Sequence, residues 1–161
     1  EAEVGIESTI VDLSGSAPAL LRPGWITASQ IASVLGVPLA ACGAGAPRAP
    51  GTLATHYAPQ TPLLVVECDL LVELAASLAR QGKRVAALAF SGARPLSPGV
   101  TWIAAPREAG GYAHALYANL RALDEAGCDT ILVEKPPQEA AWAAINDRLT
   151  RAASGAPPDD V

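Results

Sequence analysis

His56 and Tyr57 stand side by side in a stretch that also carries Pro47, Pro50, Pro59 and Pro62. An imidazole titrates near neutral pH, and a phenol joins a flat apolar face to a hydroxyl donor, so both rings are capable of chemistry. Their surroundings are stiff. Each proline fixes φ, removes an N–H and pushes the preceding residue toward extended geometry, so Pro47 to Pro62 is expected to be neither helix nor central strand. A long connection of fixed geometry bearing polar rings reads as a binding loop lying over a surface; the plain alternative is a spacer whose rings pack on a neighbouring domain. A general base needs a partner that orients it, and the sequence offers His56 none, so His56 is read as a positioning or packing residue.

The remaining chemically capable groups are dispersed. Cys42, Cys68 and Cys128 show no CxxC or Cys/His spacing, which argues against a zinc site and a disulfide framework and fits a reducing compartment. Cys68 and Cys128 are expected to be small core residues, and His114 a half-buried residue on a helix face. Glu67 and Glu134 each follow an apolar run, where a sheet's carboxyl edge places ligands, but they read first as solvated rim charges. Neither GxGxxG nor GxxxxGK[ST] occurs. A net charge of −5 with scattered basic residues argues against direct nucleic-acid binding. No run approaches the roughly 18 apolar residues of a membrane span, so the chain is expected to be cytoplasmic.

Among 161 residues there is room for one domain and an appendage. Residues 1–24 hold two short β-branched or apolar runs around Gly15 and Pro18, a hairpin at most. Two strands alone are marginal in water, so this segment reads as the tail of a larger sheet. In residues 25–61, Thr27 as N-cap with Gln30 three residues on forms a capping box, Ile26 and Ile31 can staple it, and Gly36 ends the helix. Val37 to Ala46 is expected to be flexible. From residue 62 to 155 apolar runs at 63–66, 84–90, 100–103 and 130–134 alternate with helical periodicities, the first opened by Asp69 as its cap and the second spanning 111–126. That alternation predicts an α/β fold: a Rossmann-like, open, mostly parallel sheet of about four strands flanked by helices. Residues 156–161 are expected to be a disordered tail.

Three strings in order, Val4-Gly5-Ile6-Glu7-Ser8-Thr9-Ile10-Val11-Asp12, Leu21-Arg22-Pro23-Gly24 with Ile26-Thr27, and Ala49-Pro50-Gly51 followed by His56-Tyr57-Ala58-Pro59, resemble the two-domain L-threonylcarbamoyladenylate synthases of the YrdC-like superfamily. Leu120-Arg121-Ala122-Leu123-Asp124 and Asn146-Asp147-Arg148-Leu149 are similar to that family's C-terminal domain. The resemblance implies an enzyme that joins L-threonine, bicarbonate and ATP into threonylcarbamoyl-AMP with release of pyrophosphate, for threonylcarbamoyladenosine modification of tRNA. ATP is then a substrate, and Mg2+ is expected in the intact enzyme.

By the same resemblance Ser8 matches a threonine contact, and Arg22 and Tyr57 match ATP contacts. The chemistry agrees: an arginine beside a rigid Pro-Gly turn offers a planar fork to phosphate oxygens, and a hydroxyl serves both ends of an amino acid. The family's basic cluster and Ser-x-Asn string are missing from this sequence. The chain is therefore expected to be a C-terminal portion, inactive alone and with no catalytic residue of its own, that meets its substrates through a catalytic domain outside it. A homodimer that covers the apolar hairpin is the oligomer this would allow. The alternative is a noncatalytic regulatory or partner-binding α/β module.

Overall fold

In the computed structural model, the residues described are Gly5, Ile6, 8–43, Pro47, Ala49, 58–91 and 98–154. Their strands make two sheets. The first joins β1 (Ile10–Asp12), β2 (Ala19–Arg22) and β3 (Ala40–Ala41), with α1 (Ala28–Leu35) between β2 and β3. Thr27 caps α1 as expected: its hydroxyl accepts from the Gln30 N–H while the Gln30 side chain accepts from the Thr27 N–H, and Gly36 closes the helix at φ 72°. The staple is not built into a core, because Ile26 is 54% exposed. Nor is 37–46 without structure throughout: Ala40 and Ala41 pair parallel with Ala19 and Leu20, giving the hairpin the third strand it needs.

The second sheet contains β4 (Leu63–Val66), β5 (Val85–Ala89), β6 (Val100–Ala104) and β7 (Thr130–Glu134) in the spatial order β4-β7-β5-β6, all parallel. Its central strands are apolar over Val85–Ala89 and Ile131–Val133 because both faces are covered. Ile131 and Val133 of β7 and Ala86 and Leu88 of β5 face the larger core, shared with α3 (Ala109–Glu125) and α4 (Ala143–Ala153). Leu132, Val85, Ala87 and Ala89 face the smaller core under α2 (Cys68–Arg80). Alanine at three of the five β5 positions lets the layers approach closely.

Two helix starts differ from expectation. The N-cap of α2 is Glu67, with no side-chain cap, and Asp69 lies in the first turn, where its charge still favours the helix N-terminus. Helix α3 starts at Ala109, two residues early, because Gly110 and Gly111 are tolerated where the helix passes close to Trp25 and Pro106.

The carboxyl edge of the parallel sheet is plugged. Phe90, Tyr112 and Trp142 meet there with ring centroids 5.5–6.2 Å apart. Glu134 at the end of β7 is not a solvated rim charge but 1% exposed, its Oε2 accepting from the N–H groups of Phe90 at 2.8 Å and Ser91 at 2.9 Å. Arg107 holds the same two residues from the other side, donating to the carbonyls of Phe90 and Ser91. A carboxylate and a guanidinium thus satisfy both backbone groups where the chain leaves β5. The N-terminal segment docks at the same end: Ile6 is buried in the larger core, and Gly5 lies so close to α3 that a Cβ would stand 2.8 Å from the Ala113 carbonyl oxygen.

Candidate functional site

Pairing of β1 with β2 sets Ile10 opposite Arg22. This brings Ser8 and the Arg22 turn together although they are 14 residues apart: Arg22 Nη2 donates to the Ser8 carbonyl at 3.4 Å. The Ser8 side chain is exposed and Arg22 is half-buried. Gly24 makes the approach possible. A Cβ there would lie 2.4 Å from Ser8 C and from Thr9 N, so only glycine fits the crossing. Thr9 Oγ1 closes the same junction by donating to the Ile26 carbonyl at 2.7 Å. A pocket of about 270 Å³ opens beside this turn, lined in part by Pro23, Gly24, Thr27, Ala140 and Ala143.

His56 and Tyr57 lie outside the described residues, but the end of their stretch is held firmly. The Asp124 carboxylate accepts from the Gln60 N–H at 3.1 Å and the Thr61 N–H at 2.9 Å, one oxygen to each. Partial burial pushes the Asp124 carboxyl up; the Thr61 backbone and hydroxyl and the Gln60 backbone outweigh it and hold the group below the usual aspartate range. Beside this clip a cleft of about 210 Å³ is lined by Ala58, Pro59, Tyr117, Leu120, Arg121 and Asp124.

The second C-terminal string fastens the other end. Arg148, 6% exposed, pairs with Asp147 and donates through Nη2 to the Pro23 carbonyl at 3.3 Å. Asp147 also receives Arg151, at 2.8 Å and 3.1 Å. Sequence reasoning singled out these residues only as parts of recognisable strings; the contacts of Asp124 with Gln60 and Thr61 and of Arg148 with Pro23 span 63 to 125 positions and left no local signal.

The other candidates do not converge. Cys68 is exposed at the start of α2 rather than in the core, since its side chain lies on the outer face of the first turn. His114 is exposed, because its neighbours Ala113 and Tyr112 take the inward face of α3. Cys128 is half-buried, its thiol pushed up by burial and donating to the Leu123 carbonyl. Glu67 pairs with Lys135 at the surface. Among the described residues no group of three or more His, Cys, Asp or Glu side chains could hold a metal ion, and no helix is long and apolar enough to cross a membrane.

A four-stranded parallel Rossmann-like sheet, to which a small mixed sheet is tied through the Arg148–Pro23 hydrogen bond, defines the class: an α/β domain with a small sheet attached on its N-terminal side. Residues 26–154 match the family model described as threonylcarbamoyl-AMP synthase, C-terminal domain, and the chain belongs to that family. It is 33% identical to the threonylcarbamoyl-AMP synthase of Bacillus subtilis (strain 168) over 160 residues, 94% of this chain and 46% of the relative. It is 32% identical to that of Pyrococcus abyssi (strain GE5 / Orsay) over 163 residues, 94% of this chain and 47% of the relative. The crystal structure of P. abyssi Sua5 complexed with L-threonine superposes with a TM-score of 0.80 at 29% identity, over 96% of this chain and 48% of that one. A variant of P. abyssi Sua5 with an adjacent histidine and tyrosine both replaced by alanine superposes with a TM-score of 0.82 at 27% identity, over 96% and 47%. The chain spans about half the length of the curated relatives it matches.

Proposed function

We propose that this chain is the C-terminal portion of a threonylcarbamoyl-AMP synthase. In this reading residues 1–24 end the catalytic domain, 25–61 form a short helix and linker, and 62–155 are the Rossmann-like domain. The observation that carries the proposal is the junction of Ser8 with the Arg22 turn, which brings together the two residues read here as a threonine contact and an ATP contact. The reaction combines threonine, bicarbonate and ATP and releases threonylcarbamoyl-AMP, pyrophosphate and water.

In such an enzyme Arg22 balances phosphate charge with a fork that stays protonated throughout the working pH range. The Ser8 hydroxyl orients the amino acid by donating to its carboxylate or accepting from its ammonium group. Tyr57, a few residues before the Asp124 clip, lays its ring against the nucleotide, with His56 beside it as a positioning residue. The altered histidine–tyrosine pair of the P. abyssi variant is of the same kind as His56–Tyr57 and supports attention to it. The described residues do not fit a Mg2+ site. Exposed Leu13, Trp25, Ile26 and Val34, at 65, 49, 54 and 86%, give the small sheet and α1 an apolar surface suited to the catalytic domain. The activity serves tRNA modification in the cytoplasm.

Arg22→Ala and Tyr57→Ala in the full-length protein test the reading. Each is expected to raise KM for ATP by about tenfold, roughly the worth of one charge-assisted or stacked contact. Unchanged KM for ATP in both would sink it.

A further inference from the structure

The Asn146-Asp147-Arg148-Leu149 string lies in the middle of α4. Arg148 sits within α4 among core neighbours, with Ile145, Leu149 and Ala152 all about 1% exposed. A buried guanidinium is costly unless its charge is balanced and its donors are used, and an apolar side chain commonly fills such a position at least as well. Both needs are met here. Asp147, shared with Arg151, supplies the opposite charge, and the Pro23 carbonyl, 125 positions away, takes a donor at 3.3 Å. What the guanidinium reaches is the middle of Arg22-Pro23-Gly24, and that turn touches Ser8 twice, through Arg22 Nη2 and through the closely packed Gly24.

We propose that Arg148 is a positioning residue for the substrate site: from the Rossmann-like domain it fixes the Arg22-Pro23-Gly24 turn and thereby sets Arg22 and Ser8 relative to each other. The inference rests on reading Arg22 and Ser8 as ATP and threonine contacts. Arginine suits the position because one planar fork serves Asp147 through Nη1 and the Pro23 carbonyl through Nη2 at once, whereas a lysine offers a shorter, unforked ammonium that does not match both acceptors in this geometry. Arg148 touches neither substrate in this scheme, so its influence falls on binding more than on the chemical step.

The test uses the full-length protein with Arg148→Lys and Arg148→Met, the latter filling the core position while Asp147 keeps Arg151. Both variants are expected to raise KM for ATP and KM for threonine by about three- to tenfold with kcat changed less than about twofold. Amide exchange at Ala19–Arg22 should speed up in both, while β5 and β7 keep their protection. Ile145→Val, a core truncation in the same helix, is the control: it lowers Tm without moving either KM. Because Arg148 acts through the turn, Arg22→Ala with Arg148→Met should show no higher KM for ATP than Arg22→Ala alone. Unchanged exchange at Ala19–Arg22 overturns the proposal, as do unchanged KM values or ATP effects that multiply in the double variant. If Arg22→Ala by itself leaves KM for ATP unmoved, the reading of Arg22 as a nucleotide contact has failed, and the exchange data and the threonine KM then judge the hold of Arg148 on the turn.

Discussion

Tyr112 illustrates how one side chain can serve packing at the expense of its polar atom. Its ring is edge-on to both Phe90 and Trp142, and the residue is 1% exposed. Its hydroxyl has no hydrogen-bond partner among the described residues. Burial, with the Glu134 carboxylate adding to it, pushes the phenol well above its ordinary range, so it stays neutral at any working pH. An unsatisfied buried hydroxyl costs about 1–3 kcal/mol, whereas removing the atom costs little packing. Tyr112→Phe is therefore expected to be neutral or to raise stability by about 1 kcal/mol in denaturant titration. A loss of comparable size would mean that the hydroxyl has a partner. The residue pattern alone placed Tyr112 correctly on the inward face of its helix, since it recurs with Leu116, Leu120 and Leu123 at helical spacing. That Glu134 stands beneath it, buried, could not be read from the sequence. A glutamate ending a strand looks the same whether it meets water or two backbone amides.

Between elements, polar clips do what apolar contact does inside each layer. Asp124 on α3 fixes the chain just before β4 by taking two successive N–H groups, 63 and 64 positions away. The folded-state pKa of Asp124 is depressed, so its stabilising contribution is fully present above the unfolded value near 3.8 and is lost as pH falls through the lower folded one. Asp124→Asn keeps a single strong acceptor and is expected to cost about 1 kcal/mol, the low end for charged hydrogen bonds because the group is solvent-accessible. Its stability difference from the parent should be flat from about pH 8 to 5 and should shrink below about pH 4. A difference that instead changes around neutrality would assign the effect to another group. Amide exchange at Gln60 and Thr61 reports the same clip directly. Helix α1 is the opposite case: its capping box and its glycine stop were legible in sequence because cap chemistry is local. The third strand, two alanines long, carried no pattern to read.

At the scale of the molecule, the described residues at the carboxyl edge of the Rossmann-like sheet are engaged in packing and backbone hydrogen bonds. Among the described residues, the aromatic plug, the Glu134 and Arg107 latch and the docked Ile6 gather at the carboxyl edge and make the domain a frame for the segments attached to it. That frame holds the Arg22 turn at Arg148 and the end of the proline-rich stretch at Asp124. On the proposed reading, the chain supplies parts of a site but too little positive charge for displacement at a phosphate. Incubated alone with threonine, bicarbonate, ATP and Mg2+, it is expected to release no pyrophosphate and form no threonylcarbamoyl-AMP above a control without protein. Steady turnover would refute that division of labour.

The sequence by itself determined the layers. Apolar runs of strand length separated by helical periodicities specify a two-sided parallel sheet, because strand burial on both faces and helix amphipathicity are local, periodic properties. Ordered strings carried the family. Only the tertiary structure decided that Gly24 admits Ser8 to the Arg22 turn, that Arg148 reaches Pro23, that Asp124 clips Gln60 and Thr61, and that Glu134 is buried. Each of these is a contact between distant positions whose partner choice depends on how the layers stack. No single residue type or spacing encodes that choice, since a charged side chain carries the same local signature before and after it finds its partner.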